Sequence, residues 1–333
     1  MVNWGFIGAG GIAASSLAPA VHTARDATLH AVASSSRDRA RSLGPAATYP
    51  SYAELLRDER VEVVYVALHN SAHRQWVENA LRAGKHVLCE KPLGLSATEV
   101  DSMSRVAGEF GRLLVEAAWN RWHPRTRDLE TLIADGAIGS VTSVTARFDG
   151  LAPAPGNYRR DPALGGGALY DVGYYALSAT LAAFGWSRPR VRAARQEHWH
   201  DGSADSACTV LLDFPGQGTA EVHCSLTGAL AEEFTAVGTR GTLSLSAPAF
   251  CAGASPAALR GDRIPERVHP AVDPYRLMVE AVNDAVLGRP CYLVPLEQTR
   301  LTAATIDAVR NTLRAAPVPG PAREASPAEH RAG

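Results

Sequence analysis

The sequence predicts an α/β chain in two parts: a doubly wound parallel sheet first, then a mostly antiparallel sheet with a few covering helices. Three observations predict it. Short, continuously apolar strands alternate with helical stretches through the first third. After about residue 123 the texture changes to alternating, β-branched segments separated by turn signals. The chain has 333 residues, more than one core usually accommodates, which makes two domains the prior.

Val2 to Ile7 is a short apolar run, followed by glycines and an apolar-rich helix over about 12–24. Leu29 to Ala33 reads as the second strand, Ala53 to Arg57 as helix and Val61 to Leu68 as a β-branched strand. Ala72 to Ala83 is helical and stops at Gly84. His86 to Cys89, a helix over about 97–109 and Leu113 to Val115 continue the alternation. In the second part, strands are expected at 140–148, 208–214, 219–225, 234–237 and 242–245, broken by Pro215-Gly216 and Thr239-Arg240-Gly241. Two late helices are expected, at 274–287 and 296–313. These readings divide the chain into 1–122, 123–314 and a Pro-, Ala- and charge-rich tail, 315–333, expected to be disordered.

Composition excludes several classes. A formal net charge of −1 offers no basic field for nucleic acid or an acidic membrane. No apolar stretch is long enough to span a bilayer, and the N-terminus enters a strand directly without a signal-peptide pattern. The five cysteines are dispersed and form no CxxC or Cys/His metal spacing, so no metal is expected. Their odd number suits reduced thiols in a cytoplasm.

Gly8-Ala9-Gly10-Gly11-Ile12-Ala13 sits between the first strand and helix as a G-x-G-x-x-A pattern. Gly8 permits the tight turn, Gly10 lets backbone approach a pyrophosphate, and Ala13 lets helix and strand pack closely. The helix N-terminus behind it offers N–H groups to phosphates, so a dinucleotide cofactor is expected. An acid ending the second strand would bind the ribose diol of NAD. Here that place holds Ser34-Ser35-Ser36-Arg37, with Asp38 the first acid. Hydroxyls and a guanidinium suit a 2′-phosphate, so NADP(H) is favoured over NAD(H). The competing reading is a polar loop with a solvated arginine.

The third long strand runs out into Leu68-His69-Asn70-Ser71-Ala72-His73, where polar side chains would border the nicotinamide half of the cofactor. Asn70 or Ser71 could equally cap the next helix. Glu90-Lys91-Pro92 follows the buried run 86–89. A lysine at the carboxyl end of a core strand stands where open α/β sheets bind ligands, although a snorkelling surface lysine would look the same. Gly165-Gly166-Gly167 reads as a flexible, close-approach loop leading into a helix that ends near Ala183. Asp171 and Tyr175, four apart, share a helix face. A phenol is a poor base near neutrality unless an ammonium favours its anion, so Lys91 with Tyr175 would make a proton-transfer pair. Core packing is the competing reading of a Tyr-rich helix.

Together GFIGAGGIA, the ALHNSAH segment, GKHVLCEKPL, the Trp122-His123-Pro124 junction and GGGALYDVGYY resemble the Gfo/Idh/MocA family over most of the chain. The resemblance implies a Rossmann domain followed by an α/β domain on a large, mainly antiparallel sheet. It implies that Lys91 is catalytic and that Asp171 and Tyr175 face the substrate. Cofactor contacts are expected from Gly8, Gly10, Gly11, Ile12, Ser34, Ser35, Arg37, Leu68, His69, Asn70, His73, Glu90, Lys91 and Asn120. Substrate contacts are expected from Lys91, Arg121, Asn157, Arg160, Asp171 and Tyr175. Tyr175 and the stretch NYRRDPALGGGALYDVG look like the branch with glucose-fructose oxidoreductase, dihydrodiol and xylose dehydrogenases and some deoxysugar 3-ketoreductases. Two features depart from it: Ser35 holds an arginine position, and Tyr174 beside Tyr175 leaves two candidates for the acid. The function implied is hydride transfer between nicotinamide and a secondary alcohol or ketone of a sugar or polyol. An aldose or dihydrodiol dehydrogenase, or a non-catalytic NADP-binding sensor, are the alternatives. A homodimer or homotetramer is implied, with the second domain's sheets paired.

Overall fold

Runs of valine, isoleucine and leucine with no polar interruption can be strands only where both sheet faces are covered. The computed structural model, which describes residues 1–199, 203–253 and 255–315, has such a sheet. Its strands are Val2–Ile7 (β1), Ala27–Ala33 (β2), Ala47–Tyr49 (β3), Val63–Val66 (β4), His86–Cys89 (β5) and Leu114–Glu116 (β6). They lie in the order β3-β2-β1-β4-β5-β6, and every pairing is parallel. The order reverses between β1 and β4, the switch point where such sheets leave a crevice.

Alternate side chains of each strand enter different cores. Trp4, Phe6, Val63, Tyr65 and Leu88 join the core shared with the second part of the chain. Ile7, Val64, Val66, Val87 and Cys89 point the other way, onto helices His73–Arg82 and Ala97–Phe110. The period of two along a strand thus divides one apolar run between two cores.

The second sheet comprises Val141–Asp149 (β7), Arg190–His198 (β8), Asp205–Phe214 (β9), Gly218–Ser225 (β10), Ala231–Gly238 (β11), Gly241–Leu245 (β12), Ala257–Gly261 (β13) and Arg267–His269 (β14). Its order is β14-β13-β12-β11-β7-β10-β9-β8, antiparallel except where β10 pairs with β7. One face packs on helix Gly173–Ala183, which is apolar nearly all round and buried. On the other face Thr145, Arg147, Glu221 and Glu233 are exposed.

Helices Pro274–Val286 and Leu296–Ala315 turn back onto the first part of the chain. The Trp4 indole Nε1 donates to Asn283 Oδ1 at 2.9 Å, and Asn283 Nδ2 donates to the Arg25 carbonyl at 2.8 Å. Among the described residues, no helix is long and apolar enough to cross a membrane.

The sequence reading missed β3, β8, β13 and β14, and helix Pro124–Ala134. β8 is an edge strand with mostly exposed, charged residues, so it carries no hydrophobic alternation to detect. The expected first helix contains a wider π-helical turn, Ala13–Leu17, before Ala18–Thr23. Of the tail expected over 315–333, Ala315 ends the last helix and 316–333 lie outside the described residues.

Candidate active site

The turn after β1 is closed on one side and open on the other. Gly8 has φ +99°, and a Cβ there would lie 2.3 Å from the Ala67 carbonyl oxygen. Only glycine fits. At Gly10 and Gly11 an added Cβ would meet nothing within 4 Å, so the backbone faces open space. This is a cradle a phosphate could enter, with Ile12 leading into the helix behind it. Ser34 is buried at the end of β2 and its Oγ accepts from Ser36 N at 3.2 Å. Ser36 caps the next helix by accepting from Arg39 N at 3.3 Å, leaving Ser35 and Arg37 exposed at the strand end. These residues fit a dinucleotide, and the exposed guanidinium is free to meet a phosphate.

The polar run after β4 mostly braces the crevice. His73 is fully buried, with Nδ1 2.9 Å from the Pro92 carbonyl oxygen and Nε2 3.1 Å from that of Leu68. It ties the ends of β4 and β5 together, and burial pushes it down to about 4. Asn70 Nδ2 donates to the Gly165 carbonyl at 2.8 Å, joining this run to the glycine loop 95 residues later. His69 Nδ1 lies 3.0 Å from Ser71 Oγ. Glu90 points inward: its Oε1 accepts from Tyr65 OH at 2.6 Å and its Oε2 from Lys91 N at 3.2 Å. A neutral His73 has one N–H, enough to donate to one of these two carbonyls, and both oxygens of Glu90 accept from protein groups, so the two side chains brace the crevice.

Lys91, at the end of β5, reaches across the seam. Its ammonium donates to the Asp171 carbonyl at 2.8 Å and to Asp171 Oδ1 at 2.9 Å, and lies 4.8 Å from the Tyr175 ring centre. Arg159 Nε donates to the other carboxylate oxygen, Oδ2, at 2.7 Å. Burial alone would raise the Asp171 carboxyl, but Lys91 and Arg159 outweigh it and hold the group down at about 2. Asp171 ends the short helix Ala168–Asp171, and Tyr175 is in the next, Gly173–Ala183, so a slight break at Val172 separates the pair.

The Tyr175 hydroxyl oxygen accepts from Trp119 Nε1 at 2.8 Å. Trp119 is itself stacked on Tyr275, ring centres 4.8 Å apart and planes 18° apart. Phe148 packs against the Tyr175 ring at 5.6 Å. Burial pushes the Tyr175 phenol well above its ordinary range, with Tyr275, Cys251, Glu90 and Asp171 adding to the rise. This corrects the expectation that Lys91 keeps Tyr175 partly ionised: the ammonium sits over the ring face and is spent on Asp171, so desolvation wins. An open cleft of about 550 Å³ lies beside this cluster, lined by Ser15, Ser16, Trp119, Cys251, Asp273 and Tyr275 among others.

Tyr174, adjacent in the chain, has a different partner from Tyr175. Its hydroxyl donates at 2.6 Å to Glu116 Oε2, which also accepts from Thr299 Oγ1 at 2.8 Å. Three expected substrate contacts are engaged elsewhere. Arg121 is buried, donates to Tyr292 OH at 3.0 Å and Gln298 Oε1 at 2.9 Å, and lies 2.9 Å from Glu130. Arg160 donates to the Pro153 carbonyl at 3.0 Å and stacks 4.0 Å from the Trp199 ring centre. Asn157 Oδ1 accepts from Arg159 N at 3.0 Å, capping the turn that presents Arg159. Asn120 is buried, and its Oδ1 has no hydrogen-bond partner among the described residues.

The sequence reading missed Arg159, Trp119 and Tyr275. Arg159 could have been found beside its named neighbours Asn157 and Arg160. Nothing local marks an indole that pairs with a phenol 56 residues away. Among the described residues, no group of three or more His, Cys, Asp or Glu side chains is placed to hold a metal ion.

Comparison with known proteins adds a family to this geometry. Residues 2–117 match a model described as an oxidoreductase family with an NAD-binding Rossmann fold, and residues 126–244 match the GFO/IDH/MocA C-terminal domain. The chain is 34% identical over 317 residues to D-xylose 1-dehydrogenase (NADP(+)) 2 of Haloferax volcanii, a match covering 92% of this chain and 95% of that one. It is 33% identical over 257 residues to trans-1,2-dihydrobenzene-1,2-diol dehydrogenase of Homo sapiens, covering 75% and 76%. A 3-ketoreductase of Actinomadura kijaniata, crystallised with NADP and TDP-benzene, superposes with a TM-score of 0.86 at 29% identity, covering 94% and 98%.

Proposed function

The chain belongs to the Gfo/Idh/MocA oxidoreductase family, and from that premise we propose that it interconverts a secondary alcohol and a ketone on a sugar or sugar derivative. NADP(H) is the cofactor we assign over NAD(H). Relatives that are a sugar dehydrogenase, a dihydrodiol dehydrogenase and a 3-ketoreductase support the reaction class. NADP in the name of one relative and in the crystal of another supports the cofactor, as does exposed Arg37 with no acid before Asp38. The division at 122/123 into nucleotide and substrate domains belongs to this reading. So does a homodimer or homotetramer paired through the open polar face of the eight-stranded sheet. Five free cysteines support a cytoplasmic location.

One observation carries the proposal: Lys91, held by Asp171, lies against the Tyr175 ring beside the crevice at the switch point. The residues around Gly8, Gly10 and Ser34 to Arg37 would hold the cofactor, which supplies or accepts the hydride when bound. Tyr175, protonated because burial raises it, donates its proton to the oxygen of a ketone being reduced. In the oxidative direction the same oxygen takes the proton back. Lys91 presents an N–H to that substrate oxygen while Asp171 keeps the ammonium aimed. Arg159 holds the far side of Asp171 so that the carboxylate cannot turn away.

A substrate screen with NADPH and NADH in both directions tests the reading. D-xylose and a keto sugar are the first probes, and NADPH should give the higher kcat/KM. Better turnover with NADH would overturn the cofactor assignment. Lys91→Met should lower kcat by about a thousandfold. Near-wild-type turnover of that variant would remove Lys91 from the mechanism.

A further inference from the structure

A buried phenol that gives up a proton leaves an anion needing a hydrogen-bond donor, and Lys91 does not supply one. Its ammonium donates twice to Asp171 and meets the face of the Tyr175 ring, not the oxygen. The indole of Trp119 donates to that oxygen, at 2.8 Å. An indole N–H can only donate, so this bond strengthens as negative charge builds on the phenol oxygen. It also directs the phenol's own proton away from Trp119.

The indole is fixed to do this. It is stacked on Tyr275, meets Tyr175 edge-on at 6.1 Å between ring centres, and is nearly buried within the core. The turn Trp119–Trp122 that carries it follows directly from β6. The parallel sheet therefore delivers Lys91 from β5 and Trp119 from just beyond β6 to two sides of one tyrosine.

We propose that Trp119 is a positioning residue for the reaction, whose indole N–H stabilises the Tyr175 phenolate formed on proton transfer, while Lys91 serves the substrate oxygen. This inference rests on Tyr175 being the proton donor. In reduction, the Tyr175 O–H bond breaks as the new O–H bond of the alcohol forms. The carbon has then gained the hydride of a reduced nicotinamide, and solvent returns a proton to the phenolate. Trp119 exchanges no atom or electron in this step. It stabilises the charge while it exists.

Two measurements test the proposal on the 333-residue chain. The first needs no turnover. The indole N–H resonance of Trp119, identified by its loss in Trp119→Phe, should move upfield in Tyr175→Phe as its acceptor disappears. An unmoved resonance means no such bond in solution, and the proposal falls. The second is the pH dependence of NADP-linked D-xylose oxidation. Trp119→Phe keeps the ring but deletes the donor, so kcat should drop about 10- to 100-fold. KM should stay nearly constant, and the rise of kcat with pH should shift to higher pH. Lys91→Arg, which keeps a cation, should leave that limb in place. If Trp119→Phe alters KM alone, or the limb moves with Lys91 and not with Trp119, the assignment is overturned. Wild-type turnover in Tyr175→Phe would instead sink the proposed acid, even with the indole bond present.

Discussion

The chain has two glycine-rich turns, and they do opposite work. In the first, Gly8 is pressed against the Ala67 carbonyl while Gly10 and Gly11 face empty space. In the second, every glycine is pressed against protein. An added Cβ would come within 2.7 Å of Leu95 at Gly165, 2.5 Å of the Tyr158 carbonyl oxygen at Gly166, and 2.1 Å of Asp205 Oδ1 at Gly167. Glycine in the first turn keeps room for a ligand to meet backbone. Glycine in the second lets three chain segments meet one another, so that Arg159 and Asp171 stand across from Lys91. The flexible loop expected from Gly165 to Gly167 is instead a packed joint between the first and second parts of the chain. Asn70 donating to the Gly165 carbonyl closes that joint from the other side.

The largest effect that separates the two turns should come at Gly167. Its φ of +120° disfavours any side chain, and a methyl would strike Asp205. Gly167→Ala should cost about 4 kcal/mol or prevent folding, read from urea unfolding. A cost within about 0.5 kcal/mol would show that the joint gives way and would undo the contrast. Gly10→Ala should behave in the opposite manner. Unfolding should match wild type, while the dissociation constant for NADP rises about 30-fold, the equivalent of about 2 kcal/mol. Fluorescence titration would measure it, and unchanged affinity would mean that nothing approaches Gly10 closely.

A subtler test addresses what the joint holds in place. Asp171 titrates at about 2 in the folded protein, against an ordinary 3.8. Its folded-state value is depressed, so its stabilisation is complete above the unfolded value and disappears as pH falls through about 2. The stability advantage of wild type over Asp171→Asn should therefore shrink by about 2 kcal/mol between about pH 5 and about pH 2. Urea midpoints of both proteins across that interval measure it. A difference that stays constant with pH would mean that Lys91 and Arg159 do not act on Asp171 through charge.

Much of the fold and part of the site were legible because they depend on local pattern. Apolar runs split by helical stretches specify strands covered on both faces, and Gly8 to Ala13 specify a backbone opening. Lys91 at the end of an apolar strand marks where side chains leave the sheet. The four-residue spacing of Asp171 and Tyr175 sets them near one another with only a slight break at Val172. Each of these follows from backbone periodicity, which a sequence carries directly.

Tertiary packing decided the rest. Trp119 meets Tyr175 across 56 residues and Lys91 meets Asp171 across 80. Tyr174 went to Glu116 and Tyr175 to the crevice, although the two are neighbours in the chain. Arg121 looked like a substrate contact and became an interior anchor, while Arg159 took a place at the site. Burial then raised the Tyr175 phenol although an ammonium lies beside its ring. Periodicity fixes which way a side chain points from its own element. Which partner waits there, and how much water remains, follows only from how distant elements pack.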